Sequence, residues 1–153
     1  MKLITQYFKS DCVIACLSML TGHTYKNLLA TFPGATATGV TLSEAHAFLL
    51  THFGPASYAT TSDYQDLIFG KREGRFALNQ KNLWHQIATR PAILSIPTES
   101  GNGAHCVLWT GTCCYDPWPG RGFIEKPELV YEAVWIDALP LLIERNETDV
   151  EEV

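Results

Sequence analysis

The sequence predicts an α+β fold in which a helical first half packs on an antiparallel sheet formed by the second half. Up to residue 87, most segments repeat apolar residues at helical spacing behind capping residues such as Thr24 and Thr41. From Pro91–Pro97 (PAILSIP) onwards, the segments are short and almost wholly apolar, as in strands buried on both faces. Helices that precede strands in this way are typical of a segregated α+β arrangement.

Ordinary start and stop signals bound the individual elements. Thr21-Gly22 and Gly54-Pro55 end helices, Asn79 or Gln80 begins one, and Asp116–Gly120 (DPWPG) forms a rigid turn. A charged loop lies at 70–74. Near the C-terminus, Leu139–Ile143 should pack against the domain. We expect helices at 12–20, 25–32, 42–53, 63–69 and 80–87, and strands at 57–60, 91–97, 104–110, 112–116 and 131–136.

The composition indicates one globular domain at 1–143 followed by an acidic, flexible tail at 144–153. The chain has 153 residues, of which 46% are hydrophobic and 18% charged, and its net charge is −5. The tail holds five acids against one base, so it carries −4 of that charge. This acidic balance argues against a nucleic-acid partner.

The sequence shows neither of the patterns that direct a protein into or across a membrane. It has no apolar run of membrane-spanning length and no secretory signal pattern at its start, so a cytoplasmic location without membrane attachment is the default expectation. Five cysteines, two of them the adjacent Cys113 and Cys114, do not suggest a secreted disulfide framework.

The first predicted helix carries a cysteine in its opening turn. Ser10 and Asp11 are residue types that cap helices, and Cys12 follows them at the point where backbone N–H groups are free. That environment favours a thiolate, which is the nucleophilic form of cysteine. Gln6 lies six positions upstream, where its amide is expected to donate to the oxyanion of a tetrahedral intermediate. A cysteine in an apolar helix is more often a small buried hydrophobic residue, as we expect for Cys16. The interpretation of Cys12 as a nucleophile therefore requires a base elsewhere in the chain.

The second half of the chain offers that base. If Thr110-Gly111 is the two-residue loop of a hairpin, Asp116 lies directly opposite His105, with Cβ atoms about 4.5–5.5 Å apart. The carboxylate would hold one imidazole nitrogen, and the other would face Cys12 in a thiolate–imidazolium pair. The alternative is a buried sheet histidine with an acidic neighbour.

These residues together resemble the bacteriocin-processing, double-glycine-leader cysteine peptidases of the papain-like superfamily. The matching features are Gln6, the pattern DCVIACLSML at Asp11–Leu20, GAHCVLWTG at Gly103–Gly111, and the turn at Asp116–Gly120. The order glutamine, cysteine, histidine, aspartate is that of the family. The resemblance extends over roughly residues 4–137 but is specific only in the two blocks that carry the cysteine and the histidine.

The resemblance implies a papain-like fold and a set of roles. Cys12 would be the nucleophile, His105 the general base and acid, Asp116 its orienter and Gln6 the oxyanion donor, with no cofactor and no metal. Val13 is a departure, because the family commonly has glycine after the cysteine, and a β-branched side chain there narrows the approach to the thiol.

The expected function is therefore cleavage of a peptide or isopeptide bond in a protein or peptide substrate through an acyl-enzyme. A deamidase or acyltransferase would use the same site, and a non-catalytic binding domain would keep only the fold. A metal site is the least favoured alternative, since the paired spacing of common zinc sites is missing. Its ligands would be Cys12, Cys16, His105 and the Cys113-Cys114 pair.

Overall fold

The computed structural model describes residues 1–71, 77–101 and 103–137, and within them the α+β class is confirmed. Five helices and six strands lie in these ranges. The charged loop at 70–74 falls largely outside the described residues, and the segment Leu139–Ile143 and the tail 144–153 fall wholly outside them. The elements are α1 (Cys12–Thr21), α2 (Tyr25–Thr31), α3 (Leu42–Phe53), β1 (Ala56–Thr60), α4 (Ser62–Phe69), α5 (Gln80–Ile87), β2 (Ala92–Pro97), β3 (Ala104–Trp109), β4 (Cys114–Asp116), β5 (Gly122–Ile124) and β6 (Glu132–Ile136).

The six strands form one antiparallel sheet in the order β1-β6-β2-β3-β4-β5. β1 precedes α4 and α5 in the chain yet pairs with β6 at one edge, from Ala56 opposite Ile136 to Thr60 opposite Glu132. The strand expected at 57–60 is thus present, but its pairing with the last strand was not predicted. A five-residue strand carries too little pattern to indicate a partner more than 70 residues away.

Helix α1 lies against the sheet and is buried on all sides. Every residue of α1 after Cys12 is buried, because α2 and α3 cover the surface that the sheet does not. The helix ends where the sequence predicts, at Gly22 with φ 78°, whose N–H donates to the Ser18 carbonyl (3.0 Å). The N-terminus of α1 is thus held in a fixed position at one end of β3.

Apolar side chains on the other face of the sheet form a second core with α5. Leu83 and Ile87 of this helix are fully buried, and the Trp109 indole donates to the Ile87 carbonyl (2.7 Å). The domain therefore has helices on both faces of its sheet. Within the described ranges, no helix combines the length and apolar character needed to cross a membrane.

The turn between β3 and β4 differs from the prediction by one residue. Leu108 pairs with Tyr115, and the Thr110 N–H donates to the Cys113 carbonyl (2.8 Å), so the loop is Gly111-Thr112 and not Thr110-Gly111. Gly111 has φ 98°, which suits the first position of such a loop, and the Thr110 hydroxyl accepts the Cys113 N–H (3.1 Å). The shift preserves which face of the sheet each side chain occupies.

Candidate active site

Cys12 is the first residue of α1 and is half-buried. Asp11 precedes it at the N-cap position, but its side chain makes no cap hydrogen bond, contrary to expectation. The carboxylate turns back instead and accepts the Phe8 N–H (3.0 Å), which closes the loop before the helix. Asp11 is completely buried, and this burial raises its pKa. The first N–H groups of α1 are therefore left free of a side-chain cap.

His105 is held by Asp116 through a short hydrogen bond. The distance from His105 Nε2 to Asp116 Oδ1 is 2.7 Å, and the same carboxylate oxygen accepts the Trp118 N–H (2.9 Å). The two residues lie diagonally across β3 and β4 rather than directly opposite, because the turn is one residue later than predicted. The predicted contact is present although the predicted register is wrong. The bond to Asp116 leaves Nδ1 as the ring nitrogen for Cys12.

The environment of Cys12 stabilises its thiolate. Hydrogen bonding from the Cys106 side chain is the largest influence, and with the hydrogen bond and charge of His105 it outweighs burial and lowers the pKa of Cys12 to about 5. A cysteine with this pKa is ionised at neutral pH and is a strong nucleophile. The structure thus brings together the two distant segments that the sequence analysis connected.

Cys106 is a residue of this site that sequence reasoning missed. Its thiol donates to the Cys12 sulfur, and this interaction together with burial raises the pKa of Cys106 well above its ordinary value. One of the two thiols therefore keeps its proton while the other loses it. The signal was available, because Cys106 follows His105 and must point to the opposite face of β3, where α1 packs.

The imidazole and carboxylate pKa values shift in the directions of an ion pair. Burial alone would lower the pKa of His105, but the hydrogen bonds to Asp116 and Cys12 and their charges raise it to about 9. Burial alone would raise the pKa of Asp116, but the hydrogen bonds from His105 and Trp118 and the nearby positive charges lower it. At neutral pH the site therefore holds a thiolate, an imidazolium and a carboxylate.

Gln6 occupies a different position from the one its expected role requires. It is 2% exposed, and its amide nitrogen donates to the carbonyls of Phe8 (2.7 Å) and Lys9 (3.3 Å). Its backbone N–H donates to the Pro117 carbonyl (2.8 Å), which joins the loop before α1 to the turn after Asp116. Gln6 Oε1 is buried without a hydrogen-bond partner. In this conformation Gln6 shapes the site, and its amide is not directed at the Cys12 sulfur.

Two cavities flank the pair of Cys12 and His105. The larger, about 560 Å³, is lined by His105, Asp116 and Trp118 among others. The smaller, about 390 Å³, is lined by Cys12 and also by His105. Val13 is 3% exposed and forms part of the wall of the smaller cavity, so its side chain shapes that cavity beside the thiol.

The other cysteines lie in environments unlike that of Cys12. Burial raises the pKa of the fully buried Cys16 well above its ordinary value and that of Cys114 to about 12. Cys113 is exposed, so the two adjacent cysteines point to opposite sides of the chain as expected. All five thiols are free. Within the described ranges, no three or more His, Cys, Asp or Glu side chains are grouped closely enough to hold a metal ion.

Comparison with known proteins adds no relative to this description, because no family model, curated protein or solved structure matches the chain. The chemistry of the site must therefore be argued from its own geometry. A thiolate beside a cationic imidazole, which is itself held by a carboxylate, can attack an electrophilic carbon and then protonate a leaving group.

Proposed function

We propose that the protein is a papain-like thiol hydrolase that cleaves a peptide or isopeptide bond through an acyl-enzyme on Cys12. The observation that carries this proposal is the contact between the Cys12 sulfur and a His105 ring whose other nitrogen is 2.7 Å from Asp116. A buried structural cysteine does not require a neighbour that lowers its pKa. A structural histidine in a sheet does not require a carboxylate that fixes its orientation.

The proposed reaction uses the Cys12 thiolate as nucleophile, the His105 imidazolium as proton donor and the Asp116 carboxylate as the group that orients His105. The Cys12 thiolate attacks the carbonyl carbon of the scissile bond, and the His105 imidazolium gives its proton to the departing amine as the C–N bond breaks. His105, now neutral, then takes a proton from the water that attacks the thioester. Cys12 leaves as the thiolate and a carboxylic acid is released. Asp116 keeps the imidazole oriented throughout and favours its cationic form.

Stabilisation of the oxyanion would come from the start of α1. The Cys12 N–H belongs to the uncapped first turn, where the helix dipole favours negative charge. Gln6 could contribute its amide by releasing the longer of its two hydrogen bonds, the 3.3 Å bond to Lys9, while keeping its bond to Phe8. The expected role of Gln6 therefore requires a local change of its side chain on substrate binding.

A reducing compartment suits a nucleophile of this kind. A thiolate with a lowered pKa is readily oxidised, and it persists best where thiols are kept reduced. The five free thiols suit the same setting, and we propose the cytoplasm as the place of action.

The proposal is tested on peptides derived from a whole proteome. The mixture is treated with the wild type, with Cys12→Ala, or with Cys113→Ala, which changes an exposed cysteine instead. Mass spectrometry should find new peptide termini with the wild type and Cys113→Ala and none with Cys12→Ala. Conversion of glutamine to glutamate without new termini would identify a deamidase with the same nucleophile. Indistinguishable mixtures from the wild type and Cys12→Ala would refute both reactions.

A further inference from the structure

The smaller cavity beside Cys12 contains an acidic side chain that the reaction does not use. Glu132 lies at the start of β6 and is half-buried, and it lines this cavity of about 390 Å³ together with Cys12 and Val13. Part of the apolar wall comes from the loop before α3 and from the start of that helix, at Val40 and Leu42. Glu132 is the one carboxylate among the residues that line this cavity, and a carboxylate among mainly uncharged side chains has the form of a specificity pocket.

The sheet register fixes Glu132 in line with the nucleophile. Glu132 pairs with Ser95 of β2, and Ser95 pairs in turn with Cys106 of β3, so these three side chains form a row across the sheet. Cys106 donates to the Cys12 sulfur at one end of the row. Glu132 is held at the other end by the Tyr58 hydroxyl, which donates to Glu132 Oε2. The carboxylate thus has a defined position one strand beyond Ser95.

The charges around the cavity are unbalanced. The Cys12 thiolate and the Asp116 carboxylate share one cation, His105, and Glu132 adds a further negative charge. Among the described residues no lysine or arginine pairs with Glu132, and its only polar partner, Tyr58, is a neutral donor whose pKa is raised chiefly by burial. Apart from His105, the one basic side chain among the residues that line the cavity is the exposed Lys9. A cation inside the cavity would restore the balance.

The two cavities can be assigned to the two sides of the scissile bond. The acyl group becomes bonded to the Cys12 sulfur, and Cys12 lines only the smaller of the two cavities. The leaving amine departs next to His105, which lines both cavities, and the groups packed around that ring, Asp116 and Trp118, line only the larger one. The smaller cavity therefore receives side chains from the acyl side of the substrate.

We propose that the smaller cavity binds a lysine or arginine side chain on the acyl side of the scissile bond, with Glu132 as its ionic partner. This inference rests on the proposed function and names its substrate class: a peptide with a basic residue at the first or second position before the bond that is cleaved. A substrate with a neutral side chain would leave the half-buried Glu132 carboxylate without an ionic partner, and this lost interaction disfavours such a substrate.

The test compares two inhibitors that differ in charge but hardly in shape. Peptidyl acyloxymethyl ketones are prepared with arginine or with citrulline at the first or at the second position before the ketone. The rate at which each alkylates Cys12 in the wild type is measured by mass spectrometry. The arginine compound should react at least tenfold faster than its citrulline counterpart at one of the two positions.

Two variants locate the cause of that preference. Glu132→Gln keeps the shape of the side chain and an acceptor for Tyr58, and it should reduce the ratio of arginine to citrulline rates to within twofold. Glu128→Gln removes the same charge from an exposed residue outside both cavities and should retain the ratio. Circular dichroism verifies that each variant is folded.

The possible results separate this inference from the function on which it rests. If arginine and citrulline compounds alkylate Cys12 at equal rates in the wild type, the pocket is not specific for basic residues, although the hydrolase proposal stands. If neither compound modifies Cys12 at all, the proposed function fails and the inference fails with it. A preference for arginine that persists in Glu132→Gln would assign the effect to another group.

Discussion

Cys12 and Cys106 share one hydrogen between two sulfurs, and the surroundings decide which sulfur holds it. His105 contacts Cys12, whereas Cys106 lies on the face of β3 that is packed against α1. The negative charge therefore resides on Cys12, and Cys106 acts as a donor to it. A thiol donor in this position stabilises the Cys12 thiolate.

Removal of that donor should weaken the nucleophile in a measurable way. In Cys106→Ala, the thiolate of Cys12 loses its strongest single stabilising interaction, so its pKa should rise and its alkylation at pH 6 should slow markedly. The matched control is Cys114→Ala, which removes another buried cysteine of the sheet and should leave the pH dependence unchanged. Site-resolved alkylation over a pH series measures both, and identical profiles for wild type and Cys106→Ala would contradict the assignment.

The titration of His105 tests independently whether its ring is paired with Asp116 and with the Cys12 thiolate. Its pKa of about 9 depends on Asp116 and on the Cys12 thiolate, so the pKa should fall in both Asp116→Asn and Cys12→Ala. Heteronuclear NMR of the imidazole follows this titration directly. A His105 pKa close to 6.5 in the wild type would mean that the ring is not paired with either group.

At the scale of elements, the site depends on a contact between two loops. The Ser10 hydroxyl donates to the Ala35 carbonyl (3.0 Å), and Gly39 lies so close to Ser10 that an added Cβ would be 2.9 Å from its carbonyl oxygen. Gly39 also has φ +82°, a conformation that side chains rarely adopt. This contact places the wall of the smaller cavity against the start of α1.

Substitution of Gly39 should therefore cost more than its backbone angle alone explains. Gly39→Ala combines the unfavourable φ with a steric clash, whereas Gly120→Ala has nearly the same φ (+83°) and no atom within 4 Å of the added Cβ. We expect Gly39→Ala to lower the free energy of unfolding by about 1–3 kcal/mol more than Gly120→Ala. Chemical denaturation of both variants measures the difference, and equal losses would show that the contact with Ser10 is not restrictive.

At the scale of the whole molecule, the ion pair of His105 and Asp116 contributes to the stability of the fold as well as to the charge of the site. The pKa of His105 is raised from its ordinary 6.5 to about 9 on folding, so the pair stabilises the fold fully below pH 6.5. This contribution is lost as the pH rises through about 9, where the folded protein releases the proton. The pairing of His105 with Asp116 therefore stabilises the protein at neutral pH.

The pH dependence of unfolding should reveal this linkage. Asp116→Asn is expected to lower the free energy of unfolding by about 1.5–3 kcal/mol between pH 5 and 6.5, the range for a hydrogen bond to a charged group. The difference from wild type should shrink as the pH is raised past 9. Denaturation at a series of pH values measures it, and a difference that is constant with pH would show that the bond is not ionic.

Local signals in the sequence predicted most of the fold, and long-range ones predicted less. Thr24, Thr41 and Asn79 cap their helices as expected, because capping depends only on neighbouring residues. The place of β1 and the position of the turn at Gly111-Thr112 escaped prediction. A strand pattern does not specify its partner, and a glycine fits more than one position of a turn.

In the candidate site, too, the contacts that follow from local sequence patterns were predicted and those that depend on the long-range fold were not. The contact of His105 with Asp116 followed from alternation along two adjacent strands, which survives a shift of the turn by one residue. Glu132 was missed because its neighbourhood depends on the order of β6, β2 and β3, which no local pattern encodes, whereas alternation along β3 already places Cys106 on the side of α1. The orientation of the Gln6 amide depends on a choice among nearby carbonyls and is equally invisible in the sequence.

The most direct measurement of the central claim is the rate of alkylation of Cys12 by iodoacetamide as a function of pH, resolved by mass spectrometry of the peptide that contains it. An activated thiolate predicts a rate that is already high at pH 6 and falls with a midpoint near pH 5. A rate that rises only with a midpoint near pH 9, as for an ordinary thiol, would contradict the account. So would a Cys12 that does not react at any pH in the folded protein.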